Sequence, residues 1–345
     1  MTIHTPPAIP SQLQSNAAAG GGFFRLLKQR EYGVLALLAL TLIVVGLINP
    51  AFVAGGNLKD ILVAAAPAII VGCGLTFVVL MGEIDISMGA LMGVLATVMG
   101  QLTSPSHAHL PVGEGILITL ALGSLVGLIN GLLVAYGRMP SIIVTLGMMT
   151  VLQGVNLILI NGQWITDMPA GLRWFGTGRF LAVPISIWTT ILVVAASILL
   201  ARETPLGRRI YASGSNPEAA RLTGLPVRPI KLFVFTLTGL LTAVATVVSV
   251  PLLAVIEPGV GKGFELLAVT CVVVGGTSIS GGQGNIIGTV LAALLLSVVR
   301  PTLVFLKLGP SASYWERAIQ GAFILAAVLL DQVARARSRR GKAGA

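Results

Sequence analysis

Ten stretches of 15 to 27 residues, nearly free of charge, follow one another at roughly 33–49, 59–81, 88–102, 115–136, 141–160, 184–201, 230–256, 265–280, 286–306 and 316–332. A helix needs about 20 apolar residues to cross a bilayer core. Hydrocarbon offers no partner to a free backbone amide, so runs of this kind are readable as transmembrane helices. The expected fold is an all-α polytopic membrane protein of about ten transmembrane helices. Eight or twelve spans also fit, because 265–280 and 286–306 can be read as one re-entrant hairpin. The third and eighth runs are the shortest and carry glycine. Short, interrupted segments in matching places of two halves point to broken helices along a solute path.

Composition agrees: 55% of the 345 residues are hydrophobic and 10% charged, against about 25% charged in a soluble domain. The net charge of +10 does not imply nucleic acid, because the 22 Lys and Arg residues sit at span ends and in loops. With both termini placed in the cytoplasm, 15 of those 22 fall on the inner side, including six in 202–231 and five in the tail 334–345. That asymmetry follows the positive-inside rule and favours an even number of spans. Residues 1–31 read as a disordered cytoplasmic lead, 32–333 as one membrane domain with 202–231 as its main cytoplasmic loop, and 334–345 as a basic tail facing lipid headgroups. Cys73 and Cys271 lie in apolar runs, where they read as small buried hydrophobes.

The middle of loop 202–231 is punctuated as a short helix. Asn216 is the cap, Pro217 the first helical residue, Glu218 the favourable first-turn charge and Gly224 the stop. A helix of about two turns is not stable alone in water. It therefore packs on something: lipid headgroups as an interfacial helix, or a cytoplasmic partner.

Polar residues elsewhere are few. Glu83, Asp85 and Ser87 fall between two apolar runs, and three readings stand: solvated carboxylates capping the next helix, an inner gate or partner-facing element, and a proton-coupling pair. Gly123, Gly127 and Gly131 line one helix face for close packing. Asn130 sits beside that stripe, and Thr145, Gln153 and Asn156 lie in the next span, as interhelical hydrogen bonds or as weak contacts along a path for a neutral solute. The outer loop 161–182 carries Trp164 and Trp174, which read as interface anchors, and Asp167, Arg173 and Arg179, which with Glu257 are candidates to pair with an extracytoplasmic protein. The segment 82–89 resembles 276–282, an echo that fits an inverted repeat of spans 2–5 and 7–10.

The blocks GEIDISMG (82–89), GRMPSIIVTLGMMTVLQG (137–154), GSNPEAARLTG (214–224) and VVVGGTSISGGQGNIIGT (272–289) together resemble the ribose, xylose, arabinose and galactose permease family, a pattern shared by autoinducer-2 and rhamnose permeases. The blocks occur in order over most of residues 60–330. The family's common first block is Gly-Gly-Ile-Asp-Leu-Ser, and Glu83 stands here where the second Gly is usual. The resemblance implies a type II ABC importer fold in a bacterial inner membrane. It also implies a second permease subunit, a cytoplasmic ATPase, a periplasmic binding protein and a sugar substrate. Asn216, Pro217, Glu218, Ala219, Ala220, Arg221 and Gly224 would then be the ATPase-coupling segment. No cofactor is expected in this chain, ATP and Mg belonging to the ATPase: Gly261-Lys262-Gly263 lacks both the upstream Gly and the hydroxyl residue of a phosphate loop.

A self-sufficient secondary transporter would need ionisable residues within spans. Glu265 and Arg300 read as near span ends, and Asp331 as at the last one. A membrane enzyme would need a clustered acid, base or metal set. The histidines His4, His107 and His109 lie in the polar lead and an outer loop, and no metal site is expected. Within the transporter class, a branched-chain amino-acid permease is the nearest alternative.

Overall fold

The computed structural model describes residues 30–253, 255–307, 311, 314–326 and 329. The N-terminal lead and the basic tail lie outside them. The long helices are α1 (Arg30–Ile48), α2 (Gly55–Leu80), α4 (Val112–Ala135), α5 (Ser141–Ile160), α7 (Ile185–Glu203), α10 (Val227–Ser249) and α12 (Ile286–Phe305). Between them lie the short apolar helices α3 (Met88–Thr103) and α11 (Phe264–Val274), and the polar helices α6 (Ala170–Thr177), α8 (Pro205–Ser215) and α9 (Pro217–Leu222). A two-residue hairpin pairs β1 (Arg179–Phe180) with β2 (Val183–Pro184). Residues 314–326 are helical. Among the described residues, seven helices are long and apolar enough to cross a membrane.

The helices are apolar all round, so hydropathy alone does not separate those facing lipid from those facing protein. Burial does. In their most apolar 18-residue windows α2 is 78% buried and α10 67%, against 17% for α1 and 22% for α5. The two central helices therefore form the core around which the others stand.

Glycine decides which helices approach closest. The Gly123, Gly127 and Gly131 stripe of α4 lies on α10: a Cβ on Gly127 would come 3.1 Å from Gly239 Cα, and one on Gly131 3.1 Å from Leu232 Cα. On the opposite flank α2 meets α12, where Thr76 Oγ1 and Thr289 Oγ1 hydrogen-bond at 2.8 Å. Without a hydrophobic drive between helices in lipid, such backbone approach and buried hydroxyl pairs supply the specific attraction. Cys73 and Cys271 are both buried and unpaired, as small apolar fillers.

The loops gather into two ends. At one, segment 82–87, loop 136–140, α8, α9 and segment 276–284 meet; at the other are 49–54, 104–111, 161–184 and 250–256. The two echoing segments share the first end. Gly282 N–H donates to Leu80 O at 2.8 Å, and a Cβ on Gly82 would come 3.5 Å from Ser280 O. An axis in the membrane plane exchanges the two ends, so counterparts in an inverted repeat do not touch here. The echo marks a shared glycine-rich contact.

Candidate functional site

At the first end, Thr204 and Asn216 each start a helix by the same local chemistry. The Thr204 hydroxyl accepts from Gly207 N at 3.1 Å, with Pro205 following. Asn216 Oδ1 accepts from Glu218 N at 3.1 Å and Ala219 N at 3.0 Å, with Pro217 following. Gly224 closes α9 at φ +79°, a conformation free of penalty only for glycine. The helix expected between Asn216 and Gly224 is thus present. α8 was legible from the Thr204-Pro205 pair and was missed. Ala220 is buried, whereas Glu218, Ala219 and Arg221 are exposed and Leu222 is 86% exposed. α9 therefore lays one residue on the bundle and turns an apolar side chain outward.

α8 is wedged into the same junction. Gly214 is buried against Leu80 O and Gly282 N, leaving no room for a side chain. The Tyr211 hydroxyl donates to Gly284 O at 2.9 Å. α8 thereby contacts both the end of α2 and segment 276–284.

Segment 82–87 sits beside them and is not solvated as a loop carboxylate pair would be. Asp85 is 3% exposed, and its Oδ1 accepts from Ser87 N at 2.8 Å and Ser87 Oγ at 2.7 Å. Asn130 Nδ2 on α4 donates to Ser87 Oγ at 3.0 Å. On α5, Ser141 Oγ accepts from Ile84 N at 3.1 Å, and Thr145 Oγ1 lies 3.3 Å from Ile84 O. Glu83 forms an ion pair with Lys231 at the start of α10. Asp85, Ser87, Asn130 and Thr145 thus form one network, with Glu83 pinned at its edge. Lys231 was missed, because its partner lies 148 residues away in sequence.

The pair's side chains are 18% and 15% exposed, so removing one partner leaves a charge with little water. Lys231→Met is expected to cost about 1–3 kcal/mol, below a fully buried pair because some solvent remains. Thermal unfolding of the detergent-solubilised protein reads this. The charge-swapped double variant Glu83→Lys with Lys231→Glu should recover most of the loss; no recovery would show that the pairing contributes nothing.

Two residues expected in this group are elsewhere. Asn156 is buried higher on α5, where Thr97 Oγ1 donates to its Oδ1 at 2.7 Å and its Nδ2 reaches Pro258 O at 3.4 Å. Gln153 lies on the exposed face of α5.

Between the ends, the chain crosses by a broken passage. From Ile256, bridged to Ile165, segment 256–263 runs against α3 from Gly100 toward Gly89. Gly100 faces the Ile256 side chain, Gly93 faces Val260 O, and Gly89 faces Gly261 and Glu265. α11 then starts beside the first turn of α3. At 1.5 Å per residue, Gly89 is about 21 Å from Thr103, and α11 covers about 16 Å onward. The first turns of α3 and α11 therefore meet near mid-depth, running apart toward opposite ends. Glu265, expected near a span end, is at this meeting point: a short helix entered through irregular backbone begins where a continuous span would have its middle.

At the second end, Arg173, Arg179 and Glu257 are exposed, as a contact surface requires. Asp167 is committed within the chain. It accepts from Ser106 Oγ, from Ser106 N at 3.0 Å and from Ser104 Oγ at 2.7 Å. Those donors, Ser106 first and Ser104 next, hold its carboxyl well below the usual range, at about 2. A depressed pKa places this tie at full strength above pH 3.8 and weakens it as pH falls toward 2. Ser106→Ala is expected to move Asp167 toward 3.8, read by carbon-13 carboxyl titration. An unmoved value would contradict the assignment of donors.

Residues 57–328 match the family model described as branched-chain amino acid transport system / permease component. The chain is 35% identical over 310 residues to the ribose import permease protein RbsC of Haemophilus influenzae, covering 89% of this chain and 93% of that one. It is 36% identical over 306 residues to the Bacillus subtilis ribose import permease protein RbsC, covering 88% and 93%. With the autoinducer 2 import system permease protein LsrC of Escherichia coli, strain K12 / DH10B, identity is 34% over 305 residues, 88% of this chain and 87% of that one. No solved structure matches. Multi-pass apolar helices, a broken central passage and these relatives agree: the chain belongs to the branched-chain amino acid transport system / permease component family.

Proposed function

We propose that this chain is the membrane-spanning permease subunit of an ATP-binding cassette importer that passes a monosaccharide or related small neutral solute into the cytoplasm. It works by alternating access, with ATP hydrolysed on a partner ATPase that docks on α9. The observation carrying this reading is the geometry of α9 and α8: an exposed Leu222 and Glu218 on a short capped helix, joined through buried Gly214 to the core. A partner pressing on α9 moves a lever rather than a loose loop. Relatives named as ribose and autoinducer 2 import permeases support the solute class.

On this reading the end carrying α8 and α9 is cytoplasmic, which agrees with the six basic residues of 202–231 and with Arg138. A periplasmic binding protein delivers solute at the other end, near Arg173, Arg179 and Glu257. A second permease subunit covers the exposed face of α5, and the 82–87 network forms the inner gate. The long-then-short order of α2–α3 and of α10–α11 supports an inverted repeat.

The test is uptake of labelled sugars into proteoliposomes containing the chain with its ATPase and binding protein. Glu218→Arg and Leu222→Asp are each expected to reduce uptake at least tenfold and to release the ATPase from an affinity column. Uptake that needs no ATPase and ignores both substitutions would replace this reading with a secondary transporter.

A further inference from the structure

The meeting point of α3 and α11 is built around one carboxylate. Glu265 stands in the first turn of α11, its Oε1 accepting from Gly263 N at 3.2 Å. Its Oε2 fills the space left by the absent side chain of Gly89 in the first turn of α3. The first turns of two helices, each an end of partial positive charge, thus meet at one carboxylate, whose hydrogen bond comes from Gly263 N at the cap of its own helix. Among the described residues the only ion pair is Lys231 with Glu83, so no cation stands within ion-pair distance of Glu265.

The surroundings say which solvent it meets. Residues 257–263 are non-helical, and Glu257, Gly259, Lys262 and Gly263 are exposed. Glu265 itself is half-buried, and the segment reaches mid-depth beside Gly89 and Gly93. Irregular backbone at that depth, bearing an exposed lysine, does not face hydrocarbon; it lines water or is covered by protein. A carboxylate here accepts hydrogen bonds from hydroxyls, and these are stronger than bonds to a neutral acceptor. It also repels an anion from the same water.

We propose that Glu265 is the charge-selecting residue of the solute path: it accepts hydroxyl hydrogen bonds from a neutral polyol at mid-passage and turns back anionic solutes such as sugar acids. This rests on the importer reading for the identity of the solute, while its electrostatic part stands alone. Lys262, three residues before Glu265, is the site from which to sense the charge, and the buried native cysteines Cys73 and Cys271 leave a quiet background.

In the assembled transporter, Lys262→Cys is reacted with a cationic and with an anionic methanethiosulfonate reagent, with and without Glu265→Gln. The cationic-to-anionic rate ratio is expected to fall about tenfold when the carboxylate is removed, as for a unit charge about 6 Å away in water. In the chain with Lys262 intact, Glu265→Gln should lower ATP-driven uptake of a neutral sugar at least tenfold and Glu265→Asp should retain a third or more. Both should keep binding-protein-stimulated ATP hydrolysis, which shows that they fold and assemble. A ratio unchanged by Glu265→Gln, or an introduced thiol that neither reagent reaches, overturns the proposal. So does normal uptake by Glu265→Gln. If the wild-type complex shows no ATP-driven uptake but the ratio still falls, the importer reading fails and the charge-selecting site stands.

Discussion

On the importer reading, Gly214→Val is expected to abolish ATP-driven uptake, to below a tenth of the wild-type rate, in a protein that still inserts in the membrane. A Cβ at this position runs into the Leu80 carbonyl oxygen and comes 2.8 Å from Leu80 C and from Gly282 N. These are backbone atoms, which cannot rotate aside as a flexible side chain does. Leu80 O also accepts the Gly282 amide at 2.8 Å, so making room breaks a buried hydrogen bond as well. Overpacking of this kind costs about 1–3 kcal/mol, sometimes more. Its local effect matters most: α8 is expected to lift from the end of α2, and on the importer reading force on α9 then no longer reaches the bundle. Uptake assays paired with retention of the ATPase on a column separate the two effects. Retained ATPase with lost uptake places the fault in transmission, whereas uptake within twofold of wild type would refute the lever.

Gly239→Leu is expected to be the most destabilising single change, lowering the thermal midpoint in detergent by about 4 °C or more or preventing accumulation altogether, roughly the effect of 3 kcal/mol or more. A Cβ there would collide with Gly123 O and stand 3.0 Å from Gly127 Cα. The contact is mutual backbone against backbone, and α10 is one of the two most buried long helices. Separating it from α4 removes packing that lipid cannot replace, since tails contact helix surfaces as well as leucine does but not in the same interlocking geometry. Gly33→Ala in α1 is the control, because nothing lies within 4 Å of a Cβ there. It should leave the midpoint unchanged or slightly raised. Equal effects of the two substitutions would refute the assignment of the α4–α10 contact.

The helical spans could be read along the chain because spanning lipid imposes a length and an apolar composition on each segment separately. The structure has helices at the first nine predicted runs, and α5 keeps the predicted 141–160 limits. The tenth run is described only as far as 314–326 and residue 329. α10 and α11 end earlier than predicted, at Ser249 and Val274, where Pro251 follows the one and the Gly275-Gly276 pair, with Gly276 at φ +93°, follows the other. α9 was legible for a similarly local reason: cap, proline and terminal glycine act within a few residues. The same logic applied to Thr204 and Pro205 reveals α8, while α6 and the 179–184 hairpin carry no comparably strong punctuation.

Local chemistry therefore specified the number of apolar runs, the short third and eighth helices, the glycine stripe and the short capped helix α9. Tertiary structure decided which charges meet and at what depth. Lys231 reaches Glu83, Asn130 reaches Ser87, Gln153 is left outside, and Glu265 moves from an expected span end to mid-depth beside Gly89. Hydropathy measures each segment's preference for leaving water and is indifferent to what replaces it. Packing one helix on another selects the partner, the register and the depth, and those relations join residues distant along the chain.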